Sequence, residues 1–263
     1  MNPALRTAAS GMIAQQRAID VIANNLANVN TTAFKRSRAS FEDVLYETLQ
    51  GESLVNYQSA ETVGPIQVGK GVRVANVLRL HQQGTLAETG RPFEHGIEVD
   101  GLFRVQRPGG SLGYTRDGSF TLSSTGAMIT SAGYLLQPGV TIPADATEVT
   151  ISANGIVSVR TGEAGAMPVE VGRIELARFT NVTGLESLGE NLYGETVASG
   201  QPVLGQAQEG GFGRIVQGSL EASNVEIVLE MTDMIAAQRA YEINSKAIRA
   251  TDDMMQITND LVR

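Results

Sequence analysis

Apolar residues recur with heptad spacing at both ends of the chain. Near the N-terminus the intervals alternate between four and three positions, through Leu5, Ala9, Met12, Gln16, Ile19, Ala23 and Leu26. Near the C-terminus an apolar side chain returns at every seventh position, in Ile227, Met234, Tyr241, Ile248, Met255 and Val262. Such spacing is typical of helices that pair along an apolar stripe. It predicts terminal helices, the second of them capped by Ser223 or Asn224.

Between the two ends the pattern changes to an alternation of period two. The stretches GIEVDGLFRVQ, GYTRDGSFTLSSTGAMITSAGYLLQ and VTISANGIVSV alternate apolar and polar residues between turn signals. Asn154-Gly155 separates two such runs and is a strong hairpin signal. Of the 29 glycines, one lies within residues 1–50 and none follows Gly218. Because glycine is poor inside helices, this distribution also indicates helical ends and a strand-rich middle.

These patterns together predict an α+β fold. Three parts are expected: a helical coiled-coil domain from residues 1–30 and 222–263, an extended or hairpin linker over 31–75, and a β-rich core, barrel-like or sandwich-like, over 76–221.

The length of the C-terminal helix bears on what it packs against. A helix over residues 225–262 would be about 57 Å long at 1.5 Å per residue, which exceeds the dimensions of a compact body of this size. One interpretation is a helical hairpin packed on the β core of the same chain. The other is a coiled coil of both ends that exposes enough apolar surface to pack on further copies.

In the second interpretation the predicted self-assembly seam has thirteen members, of which Gln16 and Gln238 are polar and would fix the register. They are Leu5, Met12, Gln16, Ile19, Leu26, Ile227, Met231, Met234, Gln238, Tyr241, Ile248, Met255 and Val262. Methionine suits a seam that must meet several neighbours, because its side chain adapts its shape.

Composition and charge exclude several classes of function. The formal net charge of −8 argues against a nucleic-acid partner, since phosphate binding needs a basic surface. The chain has no cysteine, which removes thiol catalysis and thiolate metal sites. No apolar run approaches the length of a membrane span, and the N-terminus lacks the pattern of a secretory signal peptide. We therefore expect no membrane insertion and no cleaved signal.

Candidate catalytic motifs are weak. GGSLG at 109–113 matches the nucleophile-elbow pattern at Ser111, but a strand pattern follows it where that motif requires a helix. His81 and His95, the two histidines, lack partners at metal-ligand spacing. We predict no catalytic residue, no cofactor and no metal. The alternative from another class is a secreted enzyme or glycan-binding β domain with a helical hairpin.

Three long stretches carry a family resemblance. SGMIAQQRAIDVIANNLANVNTTAFKR, YTRDGSFTLSSTGAMITSAGYLLQ and QGSLEASNVEIVLEMTDMIAAQRAYEINSKAI resemble, in this order, the N-terminal, core and C-terminal motifs of the bacterial flagellar rod and hook proteins. The chain length, FEDVLYETLQ at 41–50 and TGLESLGENLYGET at 183–196 are most similar to the distal-rod members. So is the stretch near 46–68, whose predicted contact residues are Tyr46, Leu49, Leu54, Tyr57, Ile66 and Val68.

The resemblance implies a non-enzymatic structural subunit. Its ends would order on assembly and pair as an inner layer lining an export channel, its β core would form the outer layer, and copies would stack helically into a rigid hollow shaft that carries torque from motor to hook. The implied partners are copies of itself, proximal rod and hook or hook-junction subunits, P-ring and L-ring proteins, and the flagellar type III export apparatus. The implied location is the basal body, across the periplasm. The alternative within the family is a proximal rod or hook subunit.

Three residues depart from the family motifs. Ala33 and Val99 stand where glycine is usual, and Leu102 stands where phenylalanine is usual. These departures bear on the local turn geometry.

Overall fold

The chain forms two compact units in the computed structural model, which describes residues 3–50, 53–54, 62–63, 66–162 and 167–261. The helical unit combines the terminal segments, up to Ala27 and from Glu226 onward, with Ser37–Arg79. The β unit combines Asn28–Arg36 with Leu80–Val225. The prediction of an α+β fold with terminal helices and a β-rich centre is confirmed, whereas the predicted domain boundaries stay a prediction.

Two antiparallel helices dominate the helical unit: α1, Pro3–Ala27, and α2, Ile227–Leu261. Gly11, the one glycine in the first 50 residues, lies where the helices approach closely. A Cβ atom at this position would lie 3.0 Å from Asn244 Nδ2 of α2. The absence of a side chain at Gly11 therefore permits the close approach.

The described residues of the helical unit include six strands, which form a ladder of hairpin pairs. They are β1 Ser37–Asp43, β2 Tyr46–Gln50, β3 Ser53–Leu54, β4 Thr62–Val63, β5 Ile66–Gly69 and β6 Val72–Arg79. The pairs are all antiparallel, β1 with β6, β2 with β5, and β3 with β4. The described strands of this stretch thus pair antiparallel, and the predicted linker over 31–75 stays a prediction. We call residues 46–69 with their flanking strands β1 and β6 the hairpin.

The β unit contains sixteen strands among its described residues. They are β7 Leu86–Glu88, β8 His95–Glu98, β9 Leu102–Gln106, β10 Leu112–Thr115, β11 Phe120–Leu122, β12 Met128–Thr130, β13 Leu135–Gln137, β14 Ala146–Ile151, β15 Ile156–Thr161, β16 Val169–Arg173, β17 Glu175–Arg178, β18 Glu186–Gly189, β19 Leu192–Gly194, β20 Val203–Gln206, β21 Arg214–Gln217 and β22 Ser219–Glu221. A 3-10 turn spans Val182–Gly184.

The largest sheet of the β unit has nine strands in the order β11-β12-β13-β9-β10-β19-β18, with β17 pairing both β9 and β20. Strands β14, β15 and β16 form a three-stranded sheet, while β8 pairs with β21 and β7 with β22. The Asn154-Gly155 turn joins β14 to β15, and Gly155 takes a positive φ of 85° there. The alternating pattern around this dipeptide therefore predicted the correct hairpin.

Alternating side chains of these strands build two apolar clusters. The larger one includes Phe103, whose ring meets Phe120 edge-on at 5.1 Å between centroids. The smaller one contains Leu102, with Tyr114 and Phe179 in edge-to-face contact at 4.8 Å. Leu102 thus keeps a buried apolar role at a position where the family motif has phenylalanine.

The second helix is not capped as predicted. It begins at Ile227, after both candidate N-cap residues. The side chain of Asn224 instead accepts from Arg36 N at 2.7 Å and donates to the carbonyl oxygens of Leu80 and Gln82 at 2.9 and 3.0 Å. The N-cap prediction is wrong because this side chain joins three segments of the β unit.

Ala33 and Val99, which stand where the family motifs have glycine, both adopt glycine-like backbone angles. Ala33 has a φ of 56° and Val99 a φ of 74°. A left-handed conformation costs an L-residue about 1–2 kcal/mol, and a β-branched residue adopts it rarely. Val99 is also 60% exposed, so burial of its side chain offsets little of this cost.

Replacing Val99 with glycine should therefore stabilise the chain. We expect the free energy of unfolding, measured by urea denaturation, to rise by about 1 kcal/mol, because relief of the strain exceeds the entropic cost of glycine. Val203→Gly is the matched control, since Val203 is 51% exposed in β20. The control should lose stability; a Val99→Gly variant less stable than the parent would contradict the account.

Candidate self-assembly surface

The face of α2 that packs on α1 is defined by a heptad series of small and polar residues. Glu230, Ala237 and Thr251 are buried, and Asn244 is half-buried opposite Gly11. Met234 and Ile248 are half-buried beside this series. The apolar periodicity of the sequence identified Met234 and Ile248. It did not identify the heptad series that packs on α1, because small and polar residues give no apolar signal.

The predicted seam residues fall into different environments in the single chain. Leu5, Met12, Ile19 and Leu26 are half-buried on α1, whereas Gln16 is exposed. On α2, Gln238 is exposed and the neighbouring Ala237 occupies the buried position. Ile227, Met231, Tyr241 and Met255 are 48%, 51%, 39% and 39% exposed. Val262 lies outside the described residues.

A buried polar contact fixes the end of this helix pair. Asn25 Nδ2 donates to Glu230 Oε2 at 3.1 Å and to the carbonyl oxygen of Ser37 at 2.8 Å. Its Oδ1 accepts from Ser37 N at 2.8 Å. The amide thereby pairs with the first residue of β1 as a neighbouring strand would, and it ties α1, α2 and the hairpin together.

The hairpin presents exposed apolar side chains. Tyr46, Ile66 and Val68 are 55%, 52% and 44% exposed. Tyr46 pairs with Gly69 across β2 and β5, so its ring covers the glycine backbone. Of the other predicted contact residues, Leu49 and Leu54 lie on β2 and β3, and Tyr57 lies outside the described residues. The hairpin thus exposes apolar surface in the single chain.

A buried charge cluster in the β unit escaped the sequence analysis. Glu221, 1% exposed, accepts from Lys35 Nζ at Oε1 and from Arg116 Nε at Oε2, both at 2.5 Å. Gly84 N donates to the same carboxylate at 2.9 Å. Arg116 further donates to the carbonyl oxygens of Gly101 at 2.6 Å, Ile97 at 2.8 Å and Val99 at 2.6 Å. The cluster therefore holds the strained Val99 turn as well.

The charged groups of this cluster shift one another's pKa values. Burial alone would raise the pKa of Glu221, but Arg116 and Lys35 outweigh it and hold the pKa of the carboxyl below its usual value. Burial lowers the pKa of Lys35, an effect that the Glu221 carboxylate opposes. The Glu221 carboxylate thus lies between the basic side chains of Lys35 and Arg116.

Three regions of the chain match models of known protein families, and each region contributes one residue to this cluster. Residues 5–35 match the model described as flagella basal body rod protein, residues 96–159 the flagellar hook protein FlgE/F/G D1 domain, and residues 216–261 the C-terminal region of the flagellar basal body rod FlgEFG proteins. Lys35, Arg116 and Glu221 come one from each region. The cluster thus joins all three motifs.

Similarity to whole proteins decides the family. The chain is 46% identical over 259 residues to the flagellar basal-body rod protein FlgG of Caulobacter vibrioides, covering 98% of both chains. It is 46% identical over 267 residues to the FlgG of Borreliella burgdorferi, covering 100% of both. The chain belongs to the flagellar basal-body rod protein family. A basal-body rod protein FlgF of Caulobacter vibrioides is 36% identical over 258 residues, covering 97% of this chain and 95% of its own.

The residues that the sequence analysis considered for catalysis or metal binding lie in three different environments in this rod-family chain. Ser111 is exposed at the turn between β9 and β10. His81 meets Tyr193 edge-on at 5.5 Å, and burial lowers the pKa of His95 to about 4. Among the described residues no group of three or more acidic or histidine side chains is placed to hold a metal ion. None of the described helices is long and apolar enough to cross a membrane.

Removing the charge of Glu221 should destabilise the β unit strongly. In Glu221→Gln two buried cations lose their counter-ion, and we expect the free energy of unfolding to fall by about 3–5 kcal/mol. Glu98→Gln is the control, because Glu98 pairs with Arg214 at the surface and an exposed pair contributes about 1 kcal/mol or less. Urea denaturation of both variants measures the difference; equal losses would contradict a central role for the cluster.

Proposed function

We propose that this chain is the structural subunit of the flagellar distal rod. Its full-length similarity to FlgG proteins supports this, and the exposed apolar side chains of α2 supply surface for contacts between copies. Copies stack helically into a rigid hollow shaft. The terminal helices line the export channel, the β unit faces outward, and the shaft carries torque from motor to hook.

The proposal includes the subunit's surroundings in the cell. The subunit lies in the basal body across the periplasm, adjoins proximal rod and hook or hook-junction subunits, and is surrounded by the P-ring and L-ring proteins. It leaves the cell interior through the flagellar type III export apparatus. It is a structural protein with no reaction of its own.

A proximal rod subunit is the second candidate, because a FlgF protein is also similar over nearly the whole chain. The two candidates differ in where the subunit lies along the axis. In isolated basal bodies, a tag on the distal-rod subunit would label the shaft next to the hook and inside the outer rings. A label at the inner end alone would favour the proximal position.

The seam assignment can be tested with a charged side chain. Ile248→Asp places a carboxylate in the half-buried face of α2, where burial of a charge is costly. We expect loss of rods and motility, while the β unit keeps its cooperative thermal unfolding. Thr232→Asp, at an exposed position outside the predicted seam, should retain motility. Normal rods in Ile248→Asp would count against this face as part of the assembly.

The hairpin is proposed to stiffen the shaft by bridging adjacent subunits. Deletion of residues 51–65 should leave the β unit folded but give shorter, bendable or absent rods in electron micrographs of isolated basal bodies. Replacement of the same residues by a Gly/Ser segment of equal length separates loss of contacts from loss of length. Straight rods of normal length in both variants would defeat the stiffening role.

A further inference from the structure

A second heptad stripe runs along the C-terminal half of α2, and the described residues of the helical unit leave it uncovered. Ile243, Ala247, Ala250, Met254 and Ile257 follow one another at intervals of four, three, four and three positions, and all five are exposed. Ile243, Met254 and Ile257 are 65%, 60% and 60% exposed. We call this set the outer stripe. It is predicted to bind a helical partner, because this spacing forms one continuous face.

The outer stripe points away from the chain's own α1. At about 100° per residue it lies roughly 110° around α2 from the face containing Glu230, Ala237, Asn244 and Thr251. That face is already occupied, since Asn244 meets Gly11 and Glu230 bonds to Asn25. The chain's own α1 therefore cannot cover the outer stripe while this pairing is kept.

An apolar groove lies elsewhere in the helical unit, between α1 and β6. Its volume is about 700 Å³. Its apolar lining comes from Ile13, Ala14 and Val21 of α1 and from Val72, Val74 and Val77 of β6. Ile13 and Val77 are 63% and 53% exposed at its rim. The groove therefore offers apolar surface that the chain itself leaves open.

The groove and the outer stripe match in length. The α1 residues that line the groove run from Ser10 to Asn24, and the outer stripe runs from Ile243 to Ile257. Each spans about 21 Å of helix. The small side chains of Ala247 and Ala250 let the helix backbone approach the floor closely, as in helix-in-groove recognition.

Charge complementarity selects one orientation. With Ile257 beside Ile13 in an antiparallel arrangement, Arg17 meets Asp253 and Asp20 meets Arg249. In the parallel arrangement Arg17 instead lies beside Lys246. Arg17 and Asp20 form an ion pair with each other at 3.7 Å, but their side chains are 68% and 55% exposed, so this weak surface pair can be exchanged for contacts with a partner. Opposite charges at the flanks of a helical seam set partner orientation.

We propose that the outer stripe of one copy lies antiparallel in the α1–β6 groove of a second copy. This inference rests on the proposed function, because it requires copies of the chain to assemble. In this contact α2 packs on α1 of its own chain and, through the outer stripe, also on a neighbouring copy. Because groove and stripe are different surfaces, the contact is heterologous and repeats without closing.

The absence of native cysteine makes disulfide mapping the direct test. Ile13→Cys with Ile257→Cys should give a ladder of cross-linked subunits after mild oxidation of isolated basal bodies. A bond within one chain is excluded, since residue 13 lies level with about residue 242 of its own α2, roughly 22 Å from residue 257. Ile13→Cys with Val228→Cys should give no ladder; Val228 is 79% exposed but lies outside the outer stripe.

Two further results would overturn the proposal. A ladder from Asn24→Cys with Met254→Cys, but not from Ile13→Cys with Ile257→Cys, would show the parallel arrangement. Variants that enter basal bodies without any cross-link at positions 13 and 257 would reject the contact and leave the proposed function intact. Absence of the parent chain from basal bodies would instead reject the function itself.

A charge exchange provides a readout that does not depend on cysteine. Arg17→Asp and Asp253→Arg should each lower the number of complete rods per cell, and the double variant should recover it. Failure of the double variant to exceed either single variant would contradict the Arg17–Asp253 contact.

Discussion

The helical unit is governed by a mismatch between its two helices. The described part of α2 has 35 residues and that of α1 has 25, so α2 is longer by about 15 Å. Their antiparallel register places Asn25 beside Glu230 and Gly11 beside Asn244, which leaves α2 beyond about residue 252 without α1 alongside. Met254 and Ile257 lie in this part and are each 60% exposed. An intramolecular pair cannot bury such a helix, and this is the physical reason to expect contacts with further copies.

The β unit depends on a different interaction, the buried carboxylate of Glu221. Two cations converge on it, and its position is specific because an uncompensated charge there would be costly. Lys35 follows the first helix, Arg116 lies in the core motif, and Glu221 precedes the second helix. Two ion pairs to one carboxylate thereby hold three distant parts of the chain in the β unit. Asn224 adds neutral hydrogen bonds to the Arg36, Leu80 and Gln82 backbones.

Sequence patterns predicted the elements better than their contacts. The glycine distribution and the two periodicities identified the terminal helices, the Asn154-Gly155 hairpin and the strand-rich centre. The departures at Ala33 and Val99 marked two backbone positions with positive φ. Heptad spacing could not show that Glu230, Ala237, Asn244 and Thr251 form the face on α1, because a mixed polar and small series lacks an apolar signal. Heptad spacing also did not separate the outer stripe from the face of α2 that packs on α1. The charge cluster was missed for a related reason: local alternation cannot reveal which charged residues meet across long sequence separations.

Hydrogen exchange resolved by peptide, on the free subunit and on isolated basal bodies, tests the central claim most directly. Peptides covering residues 253–261 should exchange rapidly in the free subunit and become protected in the rod, while peptides of the buried β strands around Phe103 and Tyr114 should be protected in both. Protection of 253–261 already in the free subunit, unchanged on assembly, would show that this surface is covered by the chain itself. It would contradict the account that copies of the chain cover it.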